Sequence, residues 1–234
     1  MVRVHIICEG QTEETFINEV LMPDFSRKGI YLYPALIGRP GHKGGNVKYS
    51  RMKTDIENRL NDEEAYCTTF FDFYGLHPDF PGKQIALGHT NLNSKKQVLE
   101  DAFLQKLSDD LGENKIRRFI PYVQMYEFEG LLFSASEAIA SNLGVSLSSV
   151  ETIINEFDTP EHINNSPQTA PSKRLKNLSR GYDKVFLGSL IALDVGINEM
   201  REKCVGFNNW LNQLERLTNI DLSLIHISEP TRPY

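Results

Sequence analysis

The amino-acid sequence predicts an α/β fold, a parallel sheet flanked by helices, with a mostly helical C-terminal extension. Three observations predict it. Apolar, β-branched runs alternate with stretches of helical spacing through the first half of the chain. Such alternation favours parallel strands joined by right-handed crossovers. From about Ser134 the strand-like runs cease and helical spacing takes over. The expected division is an α/β core over 1–133 and a helical extension packed on it over 134–221. Residues 222–234 are set apart.

Val2 to Cys8 reads as a buried parallel strand, stopping at Glu9-Gly10-Gln11-Thr12-Glu13. Gly10 permits a tight turn, and Thr12 can cap a helix carrying Phe16, Ile17, Val20 and Leu21, which Pro23 should end. Ile30 to Ile37 is a second strand, followed by a glycine-rich loop from Gly38. Val47 to Leu60 has helical spacing at Met52, Ile56 and Leu60, and Cys67 to Phe71 is a third strand ending at Asp72. Gly75 to Asn93 reads as a long loop, of a length that is usually functional or mobile. Lys95 to Leu111 is a helix, Phe119 to Val123 a fourth strand, and Glu127 to Phe133 the start of another helix. Asn164 to Ser172 is a polar link, and Phe207 to Leu217 a last helix. Lys115, Arg117 and Arg118, ahead of the fourth strand, read as an exposed face at the opposite edge of the sheet.

Composition narrows the function classes. With 25 Lys and Arg against 31 Asp and Glu, the formal charge is −6, which excludes a generally basic nucleic-acid coat. Anions must be held by a local patch or through metal ions. Three dispersed cysteines, Cys8, Cys67 and Cys204, exclude a disulfide scaffold or zinc ribbon. No apolar run is long enough to span a bilayer, and the first residues do not form a signal peptide, so a cytoplasmic protein is expected. Leu222 to Tyr234 reads LSLIHISEPTRPY. Its back-translation resembles the adapter of transposase-based sequencing libraries, so it is expected to be read-through rather than native chain.

The acids carry the chemistry. In parallel α/β sheets ligands sit beyond the carboxyl ends of the strands. Glu9 falls there after the first strand, Asp72 after the third, and Glu127 and Glu129 after the fourth; Glu13 lies one helical turn beyond Glu9. Carboxylates converging on one mouth repel unless they hold a hard cation such as Mg²⁺. The competing reading makes Glu13, Glu127 and Glu129 helix N-terminal acids facing the dipole. A shared metal requires the Glu9 and Asp72 carboxylates to lie within roughly 8 Å of each other.

The turn Glu9-Gly10-Gln11-Thr12-Glu13 resembles the opening motif of Toprim domains of OLD-type nucleases. Further segments, Phe70-Phe71-Asp72-Phe73-Tyr74-Gly75-Leu76, Gln124 to Phe133, Pro171 to Leu175 and Tyr182-Asp183-Lys184, resemble the bacterial DUF4276 family, regarded as Toprim-like. The resemblance implies Glu9 as general acid/base or metal ligand, Asp72 as metal ligand and Glu13 as the second acid of the turn, with Mg²⁺ or Mn²⁺ as cofactor. One departure stands out: Tyr74 replaces the second Asp of an Asp-x-Asp. Either a metal position is lost, or Glu127 or Glu129 fills it.

Arg39, His42, Lys43 and Lys48 lie among four glycines, a composition that lets backbone N–H groups and cations approach a phosphate. The alternative is a plain surface loop. Lys173 and Arg174 follow the polar link and are candidates to neutralise charge on a phosphate. The expected function is therefore a Mg²⁺-dependent nuclease hydrolysing phosphodiesters of DNA or RNA. The resemblance implies nucleic acid as a partner and a companion ATPase in bacterial defence. The alternative is a catalytically degenerate Toprim-like module that binds an ATPase or nucleic acid without cutting.

Overall fold

The computed structural model describes residues 1–38, 46–164, 166 and 168–218. Five parallel strands form one sheet: β1 (Val2–Cys8), β2 (Ile30–Leu36), β3 (Ala65–Asp72), β4 (Phe119–Ile120) and β5 (Val123–Gln124). The order is β2-β1-β3-β4, with β5 continuing beside β3. The register pairs Cys8 with Leu36 and with Phe70, and Asp72 with Gln124, so the strands finish along one edge. That edge puts Glu9, Asp72 and the residues after Gln124 in one neighbourhood.

The pleat divides the core. Val4, Ile6 and Cys8 of β1 and Phe70 of β3 face a cluster built with α1 (Gln11–Phe16), α10 (Phe186–Lys203) and α11 (Val205–Glu215). Ile7, Cys67 and Phe71 face the other way, onto α3 (Tyr49–Leu60) and α5 (Leu92–Leu111), through Met52, Ile56, Leu99 and Phe103. Three rings anchor the first layer. Trp210 stacks on Phe70 (5.4 Å, 3°) and Tyr122 (4.4 Å, 12°), and its indole N–H donates to Thr68 Oγ1 at 2.9 Å. A buried aromatic of this size needs its polar handle satisfied, and Thr68 on the central strand does so.

Several local expectations are corrected. Pro23 does not end the first helix: a π-turn over Ile17–Leu21 precedes it, and the chain continues as α2 (Met22–Arg27) with the proline in its first turn. There the missing N–H is tolerated. The expected fourth strand is two short ones, because Pro121 cannot donate to the ladder. Thr69 bridges the gap: its hydroxyl donates to the Tyr122 carbonyl (2.8 Å) and accepts the Tyr122 N–H (3.2 Å). The long loop from Gly75 contains α4 (Lys83–Leu87), and α5 starts at Leu92 under an Asn91 cap. The expected helix at Glu127 is a 3₁₀ segment, Phe128–Ser134. Leu131, Leu132 and Phe133 are all buried there, which an amphipathic α-helix with one wet face does not allow.

Beyond Ser134 the regular elements among the described residues are all helices: α7 (Ser136–Leu143), α8 (Leu147–Ile154), a 3₁₀ turn (Pro160–His162), α9 (Pro171–Leu178), then α10 and α11. All three cysteines are buried and free. No helix among the described residues is long and apolar enough to cross a membrane.

Candidate active site

Glu9 directly follows β1, and its Oε2 accepts the backbone N–H of Asp72 at 3.3 Å. The first and third strand ends are thereby joined, and Glu9 is close enough to act electrostatically on the Asp72 carboxyl. Gly75 explains how the carboxylate fits: a Cβ at that position would lie 2.0 Å from Glu9 Oε2. Glu13, on the first turn of α1, is buried, and its Oε2 accepts the Gly10 N–H at 2.8 Å. Asp72 Oδ1 accepts the N–H of Phe128 at 2.7 Å, so this carboxylate starts the 3₁₀ segment that carries Glu129. Between β5 and that segment Tyr126 takes a left-handed conformation (φ 64°), unusual for a bulky residue. Its carbonyl accepts Tyr74 N–H at 3.2 Å.

At the centre stands Lys184. Its Nζ lies 3.4 Å from Glu13 Oε1, 3.4 Å from Asp72 Oδ2 and 3.4 Å from Glu129 Oε2. These separations exceed those of strong charge-assisted hydrogen bonds, about 2.7–2.9 Å. Burial disfavours its charge, but Asp72, Glu129, Glu13 and Glu9 outweigh burial and hold the ammonium protonated well above the usual lysine range. One ammonium does not neutralise the acids around it. Burial, with Glu13 beside it, raises Glu9 to about 7 against the opposing pull of Lys184. Burial raises Glu129 to about 7, again against Lys184, and pushes Asp72 well above the carboxylate range. Glu129 is 0% exposed, and neither of its oxygens has a hydrogen-bond partner.

Charge and donor type therefore fit a hard cation: oxygen ligands only, in excess, one of them buried without a hydrogen-bond donor. The arrangement is nevertheless centred on an ammonium. Among the described residues no three Asp, Glu, His or Cys side chains converge closely enough to hold a metal ion as they stand.

Residues 8–215 match DUF4276, a domain of unknown function. The chain belongs to the DUF4276 family. Among solved structures, the C-terminal region of the OLD protein of Xanthomonas campestris pv. campestris aligns over 95% of this DUF4276 chain and 98% of its own, at TM-score 0.46 and 15% identity. No match was found among curated proteins.

Of the residues singled out in the sequence, Glu9, Glu13, Asp72 and Glu129 come together. Glu127 is half-buried and close enough to act electrostatically on Glu9 and Glu129, but its Oε2 accepts the Ser172 N–H at 2.8 Å, at the start of α9. Tyr74 turns away, donating to Asn164 Oδ1 at 2.5 Å. Arg174 is committed elsewhere: it donates to the Thr169 carbonyl (2.9 Å) and Glu156 (3.1 Å) and lies 4.8 Å from the Phe157 ring centre. Lys173 is exposed on α9, and Lys48 is exposed at the head of α3. Arg39, His42 and Lys43 lie outside the described residues.

Sequence reasoning did not place Lys184 in the site, although Tyr182-Asp183-Lys184 was among the segments resembling the family. The available signal was a charge count, since four or five acids on one edge require a cation from elsewhere. Lys83 is a second omission. Its Nζ donates to the Leu76 carbonyl, and burial lowers its pKa against the raising effect of Glu9.

Proposed function

We propose that this DUF4276 chain is a Toprim-like phosphodiesterase, dependent on Mg²⁺ or Mn²⁺ and acting on nucleic acid. One observation carries the reading: Glu9, Glu13, Asp72 and Glu129 gather around a single ammonium, and Glu129 is buried without a hydrogen-bond partner. Uncompensated buried carboxylates are costly, and a divalent cation is the partner their chemistry selects. When bound, the metal supplies Lewis acidity toward a phosphate and a bound water that deprotonates near neutral pH.

Glu9, Glu13, Asp72 and Glu129 would hold it, with Glu129 taking the place that Tyr74 cannot fill. In the metal-free protein burial raises Glu9 to about 7; a cation bound beside it would lower that value, so Glu9 serves as general acid/base only where it is not itself a ligand. Gly75 and the Asp72 N–H fix where its carboxylate sits. Lys48 and Lys173 remain candidates to meet substrate phosphates, as do Arg39, His42 and Lys43. Arg174 would first have to leave Glu156 and Phe157. The net charge of −6 favours delivery of nucleic acid by a partner, and the family resemblance makes an ATPase in bacterial defence the choice.

The test is cleavage of plasmid DNA and RNA with Mg²⁺ or Mn²⁺, with and without a candidate partner ATPase. Glu9→Ala and Asp72→Ala should each lower the rate by about a hundredfold or more. A second reading, a non-cutting module that docks an ATPase or nucleic acid, is favoured by Tyr74 and by the ammonium at the centre of the acids. It prevails if wild type never cuts under these conditions.

A further inference from the structure

Beside the acids lie two hydrogen-bond donors with no acceptor of their own. Lys95, near the start of α5, and Tyr126, just ahead of the 3₁₀ segment, are both half-buried. The Lys95 Nζ donates to the Tyr126 hydroxyl oxygen at 3.4 Å and lies 5.3 Å from the centre of its ring. That bond is long and joins a donor to a group that is itself a donor. Among the described residues Lys95 meets no carboxylate, and the Tyr126 hydroxyl hydrogen meets no acceptor. The neighbouring phenol differs, since Tyr74 spends its hydrogen on Asn164.

The pair is held from behind. Phe73 meets the Tyr126 ring edge-on (6.2 Å, 86°), and the ammonium groups of Lys83 and Lys95 lie 5.4 and 6.0 Å from its centre. Two cations therefore flank one buried ring, and neither is paired with an acid among the described residues. Lys83 is spent on the Leu76 carbonyl, so Lys95 is the one left to bind. Tyr126 also carries the left-handed backbone (φ 64°), a strain of the sort found at ligand clamps.

We propose that Lys95 and Tyr126 form a phosphate-binding subsite on the flank of the acid mouth, the ammonium and the phenolic hydroxyl each donating to an oxygen of one phosphate group. An unpaired ammonium calls for an anion, and two adjacent N–H and O–H donors call for one with several oxygens. Tyr126 precedes Glu127 and bonds to Tyr74, two residues beyond Asp72, which puts the phosphate beside the acids and not on them. Assigning that phosphate to a nucleic-acid strand rests on the proposed function. The anion site does not, and no metal ion enters it.

Binding to the full chain is measured in EDTA. A short fluorescent oligothymidylate is followed by anisotropy across a salt series. Lys95→Met should weaken binding about tenfold and make the log–log salt dependence shallower by about 0.7, the value for one phosphate contact on a single strand. Tyr126→Phe should weaken it about fivefold with the slope unchanged. Lys106→Met, roughly 16 Å further along the same helix, should do neither. In wild type, inorganic phosphate should slow reductive methylation of Lys95 several-fold relative to Lys106, read by mass spectrometry. If Lys95→Met does not fold, Tyr126→Phe and the wild-type labelling decide.

Unchanged affinity in Lys95→Met, or weaker binding at an unchanged slope, overturns the subsite and leaves the nucleic-acid reading standing. Protection by inorganic phosphate without strand binding keeps the subsite, as a site for the free anion, and removes the strand. Neither binding nor protection overturns the subsite, while metal-dependent cleavage still stands or falls on its own test.

Discussion

The two ends of the sheet treat charge in opposite ways. At the end where the strands begin, charges are matched. Arg3 lies 3.0 Å from Asp62 and 3.1 Å from Glu64, and Arg118 donates to the carbonyls of Leu60, Asp62 and Ala65 at 2.6–2.9 Å. At the end where the strands finish, Glu9, Glu13, Asp72 and Glu129 share Lys184. The first arrangement ties the chain together. The second holds repulsion that the rest of the fold must offset, as is typical of a site shaped by function rather than stability.

The contrast implies mutations of opposite sign. The largest effect is expected at the matched end, where Arg118→Ala removes a donor shared by the carbonyls of Leu60, Asp62 and Ala65. It should lower unfolding free energy by about 2–4 kcal/mol in urea titration. At the surplus end Glu129→Gln should do the reverse in EDTA, raising stability by about 1 kcal/mol while weakening Mn²⁺ binding. A destabilising Glu129→Gln would remove the contrast.

Acidity gives an intermediate effect. Glu9 and Glu129 titrate near 7 in the folded protein, against an ordinary 4.5. The folded state therefore holds protons that the unfolded chain has released. Stability of the metal-free protein should fall as pH rises from about 4.5 through about 7, by on the order of 1 kcal/mol per pH unit, and the raised Asp72 carries the fall further. Thermal melts in EDTA would show it, and Glu129→Gln should flatten the slope. The smallest effect belongs to Arg3→Ala, whose partly exposed pairs are worth at most about 1 kcal/mol.

How much of this was legible follows from the range of the interactions. The acids after β1, β3 and β5 could be read because a strand end is a local signal and parallel strands finish together. The register of β1 on β3 then brings Glu9 to Asp72. Lys184 was not legible as a site residue, because nothing local distinguishes a lysine in a turn and its acids lie 55 or more residues away. Arg174 was read as a phosphate ligand from its place after a polar link, but Phe157 and Glu156, brought close by folding, claim it. Arg118 was expected on an exposed face and instead turns inward to donate to the carbonyls of Leu60, Asp62 and Ala65. The split at Pro121 followed from a missing N–H that a simple apolar run conceals.

The dependence of the early strands on late residues also bears on synthesis. While the ribosome makes this protein, β1 and β3 are complete long before Lys184 or Trp210 has been added. Until then Glu13, Asp72 and Glu129 have no ammonium between them, and Phe70 and Tyr122 have no indole to stack on. The nascent amino-terminal half must wait for the carboxyl-terminal helices, so folding is completed only after most of the polypeptide has left the exit tunnel.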